Sequence, residues 1–167
     1  GTDEVIAASA YADPIVFMYM GGFIIALAIE KWNLHKRIAM TIISMMGTSS
    51  NRIILGTMIA TAFISMWISN AATALMMLPI ALALIQEIKD AQFLKPASAS
   101  KFSKALLLTV AYSASIGGLA TLIGSVPNAV FAAVASSSLD RKVSFAQWMI
   151  FAVPLTVILL AILYFLL

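Results

Sequence analysis

The stretch from Ile53 to Gln86 contains 34 residues and no charged side chain. As one straight helix it would be about 51 Å long, whereas the hydrocarbon core of a bilayer is only about 30 Å thick. The stretch therefore has to break, and the polar residues Ser69 and Asn70 lie near its middle. Because lipid offers no hydrogen-bond partner, the oxygens freed at such a break need a partner inside the protein.

The composition is that of an integral membrane protein. Apolar residues make up 62% of the chain and charged residues 10%, and the mean hydropathy is +1.03. Further charge-free stretches cover residues 14–29, 105–139 and 143–167. With no cysteine and one histidine, disulfides, thiolate metal sites and multi-histidine metal centres are excluded. We therefore expect an all-α integral membrane protein, and the lack of a base–nucleophile pair or phosphate loop argues against an enzyme.

The basic residues predict the topology of the chain. Eight of the ten lysines and arginines fall in the first two connections between apolar blocks, and only Arg141 and Lys142 fall in the third. This bias makes the first two connections cytoplasmic and the third external, and it explains the net charge of +3 without nucleic-acid binding. The start has no basic leader and no initiator methionine, which indicates a piece of a longer protein.

The first half of the chain divides at charge and turn signals. A transmembrane helix is predicted over 12–32, opened by Asp13-Pro14, and an interfacial arm helix over 33–50, with His35 solvated at its start. An ordinary cytoplasmic connector is the alternative for 33–50. The charge-free run predicts a re-entrant hairpin over 51–89, because its two arms are short for full spans. Two short complete transmembrane spans would place the flanking connections on the same side of the membrane, so they remain an alternative.

The second half contains another apolar block that is too long to be unbroken. We expect a cytoplasmic loop over 90–104, a broken transmembrane helix over 105–139 and a transmembrane helix over 143–167. Three glycines and a proline predict the break in the second of these: Gly117, Gly118, Gly124 and Pro127.

Two broken helices at membrane depth are the sequence pattern of a transporter binding site. Half-helix N-termini suit an anion, and unwound carbonyls suit Na⁺ or H⁺. Ser65 and Ser69 share a helical face and Asn70 follows, so three hard oxygen donors lie together. Thr121 and Asn128 belong to the second break, which we interpret as a ligand-lining loop. Simple back-bonding by Ser65 and close helix packing at Gly117-Gly118 are the competing interpretations.

These segments resemble the divalent anion/sodium symporter (INDY-type) family. The resemblance rests on Ser69-Asn70, on Met76-Met-Leu-Pro79 and on the segment Gly117-Gly-Leu-Ala-Thr-Leu-Ile-Gly-Ser-Val-Pro-Asn128. It implies half of an inverted-repeat elevator transporter for di- or tricarboxylates such as succinate. It also implies a sodium site and a substrate site, with the residues Ser65, Ser69, Asn70 and Gly118 for sodium and Ser69, Asn70, Thr121 and Asn128 for substrate.

The resemblance covers the later part of the first repeat only. The second repeat is missing, and Ala71 stands where the family signature has threonine. The intact protein is expected to be a homodimer in contact with lipid, in a bacterial inner membrane. Two rival functions remain, a related carrier of citrate, sulfate or another oxyanion coupled to H⁺, and a non-transporting membrane assembly module.

Overall fold

The computed structural model describes residues 14–47, 49–90, 96–139 and 143–167. Within these residues the chain is helical and contains no strand, which agrees with the expected all-α class. The helices are α1 Pro14–Lys31, α2 Leu34–Met46, α3 Ser50–Ser65, α4 Asn70–Asp90, α5 Pro96–Gly117, α6 Val126–Leu139 and α7 Phe145–Leu166. Asp13, the predicted cap of the first helix, lies outside the described residues.

The charge-free run is broken at residues 66–69, between α3 and α4. The amides of Met66, Trp67 and Ile68 still donate to carbonyls in the last turn of α3, at 3.1–3.2 Å. The chain then restarts as a helix at Asn70, where the Ser69 carbonyl accepts a hydrogen bond from the Thr73 amide. Helix α4, the second half of the predicted hairpin, extends beyond the charge-free run, because it continues past Gln86 to Asp90.

The second break covers residues 118–125, between α5 and α6. α5 begins at Pro96 and not at Ala105, so the segment 96–104 is helical where we expected a loop. Proline is well suited to a first helical position. Ala99 and Phe102 are buried while Lys101 and Lys104 are exposed, so this part of α5 is amphipathic and extends the helix beyond its apolar segment.

Helix α3 packs between α2 and α5, and α4 packs mainly on α5. The shared core contains mainly small and aliphatic side chains, among them Ala39, Ala60, Ile64, Met77, Ala81, Leu106 and Val110. α3 and α5 approach closely, because a Cβ built at Gly117 would overlap the Ala62 backbone. Thr61 and Thr109 are fully buried there and satisfy their hydroxyls on carbonyls of their own helices, at 2.7 and 2.8 Å.

Helix α2 is amphipathic, with His35, Ala39 and Ile43 buried along one face. The sequence-based expectation for His35 was wrong: its side chain is only 9% exposed, and Nδ1 lies 3.4 Å from the Ile29 carbonyl oxygen. The turn at Asn33, which has a positive φ of 50°, folds α2 back on the end of α1 and so covers the imidazole.

Many large apolar side chains remain exposed on the outer helices, including Phe23 and Leu27 on α1 and Ile150 and Phe151 on α7. Among the residues that the structure describes, α4 and α7 are long and apolar enough to cross a membrane. An apolar outer surface of this extent is typical of a protein that faces lipid.

Candidate functional site

The two breaks meet around a group of oxygen atoms. We call this group the oxygen cluster: Ser65 Oγ, the Asn70 side-chain amide, and the carbonyl oxygens of Ala114 and Gly124. Ser65 is fully buried, and its hydroxyl donates to the Ala114 carbonyl at 2.6 Å. The same hydroxyl lies 3.0 Å from the Asn70 amide. Residues from α3, α4, α5 and the second break therefore converge on one point.

The hydrogen bonds of the Asn70 amide depend on which of its two terminal atoms faces into the cluster. The amide atom that faces inward lies 3.0 Å from Ser65 Oγ, 3.1 Å from the Ala114 carbonyl oxygen and 3.2 Å from the Gly124 carbonyl oxygen. As nitrogen, this atom donates hydrogen bonds to oxygens that otherwise face one another. As oxygen, it joins the carbonyl oxygens of Ala114 and Gly124 as an acceptor, with the Ser65 hydroxyl as the one donor among them, and such an excess of acceptors suits a cation.

Glycines allow the two breaks to come this close. A Cβ built at Gly118 would overlap the Asn70 amide. A Cβ at Gly124 would lie 2.7 Å from the Gly118 carbonyl oxygen and 2.9 Å from the Ser65 carbonyl oxygen, below any normal contact distance. Backbone carbonyls therefore approach the site where side chains would otherwise separate them.

Thr121 and Asn128 hold the second break in shape. Asn128 is 4% exposed, and its amide nitrogen donates to the carbonyls of Gly118 and Thr121, both at 2.8 Å. The Thr121 hydroxyl is fully buried; it donates to the Met66 carbonyl and accepts from the Gly124 amide at 3.1 Å. Thr121 thus joins the two breaks directly, and Asn128 fixes the Gly118 carbonyl.

Ser69 differs from the other predicted sodium ligands because its side chain is exposed. Its hydroxyl lies 3.4 Å from the Ala72 amide, a long hydrogen bond at the start of α4. Ala71 is exposed beside it. The structure thus brings Ser65, Asn70 and Gly118 together and leaves Ser69 at the accessible margin of the same helix end, where N–H groups have no partner within the helix.

Sequence reasoning missed the contributions of Ala114 and Trp148. Ala114 contributes only its carbonyl, so its side chain carries no signal. The Trp148 indole donates to the Leu119 carbonyl at 2.9 Å and stacks obliquely on Phe131, with ring centroids 5.8 Å apart. This contact ties the start of α7 to the second break, and an aromatic residue inside an apolar helix gives no sign of it.

The donor set fits a hard monovalent cation. Neither break contains a charged residue or a histidine, and within the described parts of the chain no cluster of His, Cys, Asp or Glu could hold a metal ion. Hydroxyl, amide and carbonyl oxygens are the ligands that unwound helices present to Na⁺ in transporters. A transition metal would prefer nitrogen or sulfur donors.

Comparison with known proteins gives the family. The model of the citrate transporter family (CitMHS) matches residues 2–167. A sodium-dependent dicarboxylate transporter, SdcS, from Staphylococcus saprophyticus is 47% identical over 152 residues, which are 90% of this chain and 29% of that protein. SdcS from Staphylococcus aureus is 44% identical over 156 residues, 92% of this chain and 30% of that protein. The chain spans less than a third of the length of these relatives.

These names all describe transporters, and the relatives are bacterial. They confirm the resemblance to the divalent anion/sodium symporters that the two breaks indicated. The chain therefore belongs to the citrate transporter family, as an integral membrane protein of the bacterial plasma membrane.

Proposed function

We propose that this chain is part of a Na⁺-coupled carrier of di- or tricarboxylates, and that it supplies one sodium site and half of the substrate site. The observation that carries the proposal is the oxygen cluster. Ser65, Asn70 and two backbone carbonyls converge there without any charged residue. The names of the relatives, sodium-dependent dicarboxylate transporters, support the choice of ion and substrate class.

The cluster supplies the sodium site through its alternative hydrogen-bonding states. With the amide nitrogen of Asn70 turned inward, the cluster is held by hydrogen bonds at 3.0–3.2 Å. Turning the amide oxygen inward gives up these bonds and gains a ligand for Na⁺, with Gly118 contributing its carbonyl beside Asn70. The change requires rotation of one side chain. Asn128 already holds the Gly118 carbonyl, and Thr121 accepts a hydrogen bond from the Gly124 amide, so the backbone of the second break is fixed.

The substrate half-site lies at the start of α4. Ser69 is exposed there, Asn70 is half-buried, and the first turn of the helix offers N–H groups and a positive dipole end to a carboxylate. Asn70 belongs to both sites, so an inward amide oxygen would turn its N–H₂ group toward the substrate. This shared residue couples cation and carboxylate binding. Thr121 and Asn128 remain predicted substrate residues; in their present positions both are buried and bonded to backbone.

Transport requires more than this chain. We propose that a second, inverted repeat completes the substrate site, that the intact carrier is a homodimer, and that the unit shifts across the bilayer in an elevator motion. In this arrangement α3 and α4 form a re-entrant hairpin and α2 an interfacial arm. The short span relative to the relatives supports a missing repeat, because about 70% of each relative lies outside the match.

Uptake of labelled succinate by the intact protein tests the proposal. Asn70→Ala is expected to abolish Na⁺-dependent uptake, whereas Asn51→Ala, an exposed change at the start of α3, should leave it unchanged. Replacing Na⁺ with choline should stop uptake by the wild-type protein. Normal uptake by Asn70→Ala would overturn the site, and normal uptake in choline would favour coupling to H⁺.

A further inference from the structure

A cavity lies on the side of the molecule formed by α2 and α4. Its volume is about 630 Å³, within the range of small-molecule sites. The lining residues of α4 are Met76, Pro79, Ile80, Ala83, Leu84 and Glu87. They recur at helical spacing and form one stripe about 16 Å long. The stripe is apolar from Met76 to Leu84, so it suits a hydrocarbon chain.

The lining of the cavity carries both signs of charge. Asn33, His35 and Lys36 line it from the start of α2, and Glu87 lines it from the last turns of α4. Lys36 and Glu87 are both exposed. The segments that carry them lie in the two connections that the excess of lysine and arginine places on the cytoplasmic side. Lys36 and Glu87 are therefore both expected at the level of the lipid headgroups.

We propose that this cavity is a binding site for phosphatidylethanolamine. One acyl chain would lie along the stripe from Met76 to Leu84, beside Met40 of α2. Lys36, with the polar groups of Asn33 and His35 nearby, would bind the phosphate, and Glu87 would bind the protonated amine. A purely anionic headgroup would bring a negative charge toward Glu87 without a compensating ammonium group.

The site has a structural consequence. The cavity lies between α2, the proposed arm, and α4, which carries Asn70 at its other end. A lipid held there would bridge the two helices. The proposal does not depend on Na⁺ or substrate binding, so it can fail or succeed separately from the proposed function.

Native mass spectrometry of the full chain in detergent, titrated with lipids of matched acyl chains, tests the site. Phosphatidylethanolamine is expected to bind at lower concentration than phosphatidylglycerol or phosphatidylcholine. Lys36→Gln and Glu87→Gln should each weaken its binding about fivefold, the effect of one exposed ion pair. Arg37→Gln and Asp90→Asn are matched controls, because they remove the same charges from the same helices but do not line the cavity.

A filling variant tests the apolar part of the site independently. Ala83 is exposed on the lining stripe, so Ala83→Trp should block the groove without disturbing the core. We expect it to lose the bound lipid while keeping the helical circular dichroism of the wild type. The proposal is overturned if all four charge variants bind phosphatidylethanolamine alike, if the three lipids bind equally, or if Ala83→Trp still binds it.

Discussion

Replacing Asn128 with leucine removes the clamp on the second break while keeping the number and branching of the side-chain heavy atoms. The amide nitrogen of Asn128 makes two hydrogen bonds, to the carbonyls of Gly118 and Thr121, in a position that is 4% exposed. Each of the two carbonyls left unsatisfied costs about 1–3 kcal/mol, or about 2–6 kcal/mol together, and the leucine returns part of this through its apolar contacts. The net loss is expected to be about 2–4 kcal/mol, or about 5–15 °C in Tm for a chain of this size.

The assay is thermal unfolding of the purified protein in detergent, followed by tryptophan fluorescence. Asn51→Leu is the matched control, because the same change at an exposed position should stay within about 0.5 kcal/mol of wild type. The half-saturating Na⁺ concentration for uptake should also rise in Asn128→Leu, since the Gly118 carbonyl loses its support. A Tm equal to that of the control would refute the clamp.

Three further changes address the site and its surroundings. Gly118→Ala should raise the half-saturating Na⁺ concentration about tenfold or more, because its Cβ overlaps the Asn70 amide; Gly21→Ala, which meets no atom within 4 Å, should not. Trp148→Phe removes one hydrogen bond to the second break and should lower Tm by about 2–4 °C. Ala71→Thr restores the signature hydroxyl at an exposed position, so KM for succinate should fall with Na⁺ dependence unchanged; an unchanged KM would contradict it.

The positions of both breaks could be predicted from the sequence, because the apolar segments are too long for single spans and polar residues or glycines mark where each one breaks. A 34-residue uncharged run cannot be one span, and glycines mark the second break. Ser65 and Asn70 were also identifiable, since hydroxyl and amide groups are costly in lipid unless they have a partner. The sequence therefore indicated which side chains belong to the cluster, but not how they are arranged.

The rest depended on contacts between distant segments. Nothing local indicates that the Ala114 carbonyl receives the Ser65 hydroxyl, or that Trp148 reaches Leu119. The start of α5 was misplaced because lysines in 96–104 were read as a loop, although Phe102 on the same segment packs into the core. His35 was misplaced for a similar reason, since its burial follows from the turn at Asn33.

The bonds that stabilise the first break come from residues that are synthesised later. Ala114, which accepts the hydrogen bond of Ser65, follows it in the sequence by 49 residues. Thr121, which donates to the Met66 carbonyl, follows Met66 by 55 residues. At about 5–20 residues per second, the ribosome needs roughly 2–11 s to add these partners. We therefore expect the break between α3 and α4 to reach its final packing only after the second break has been synthesised.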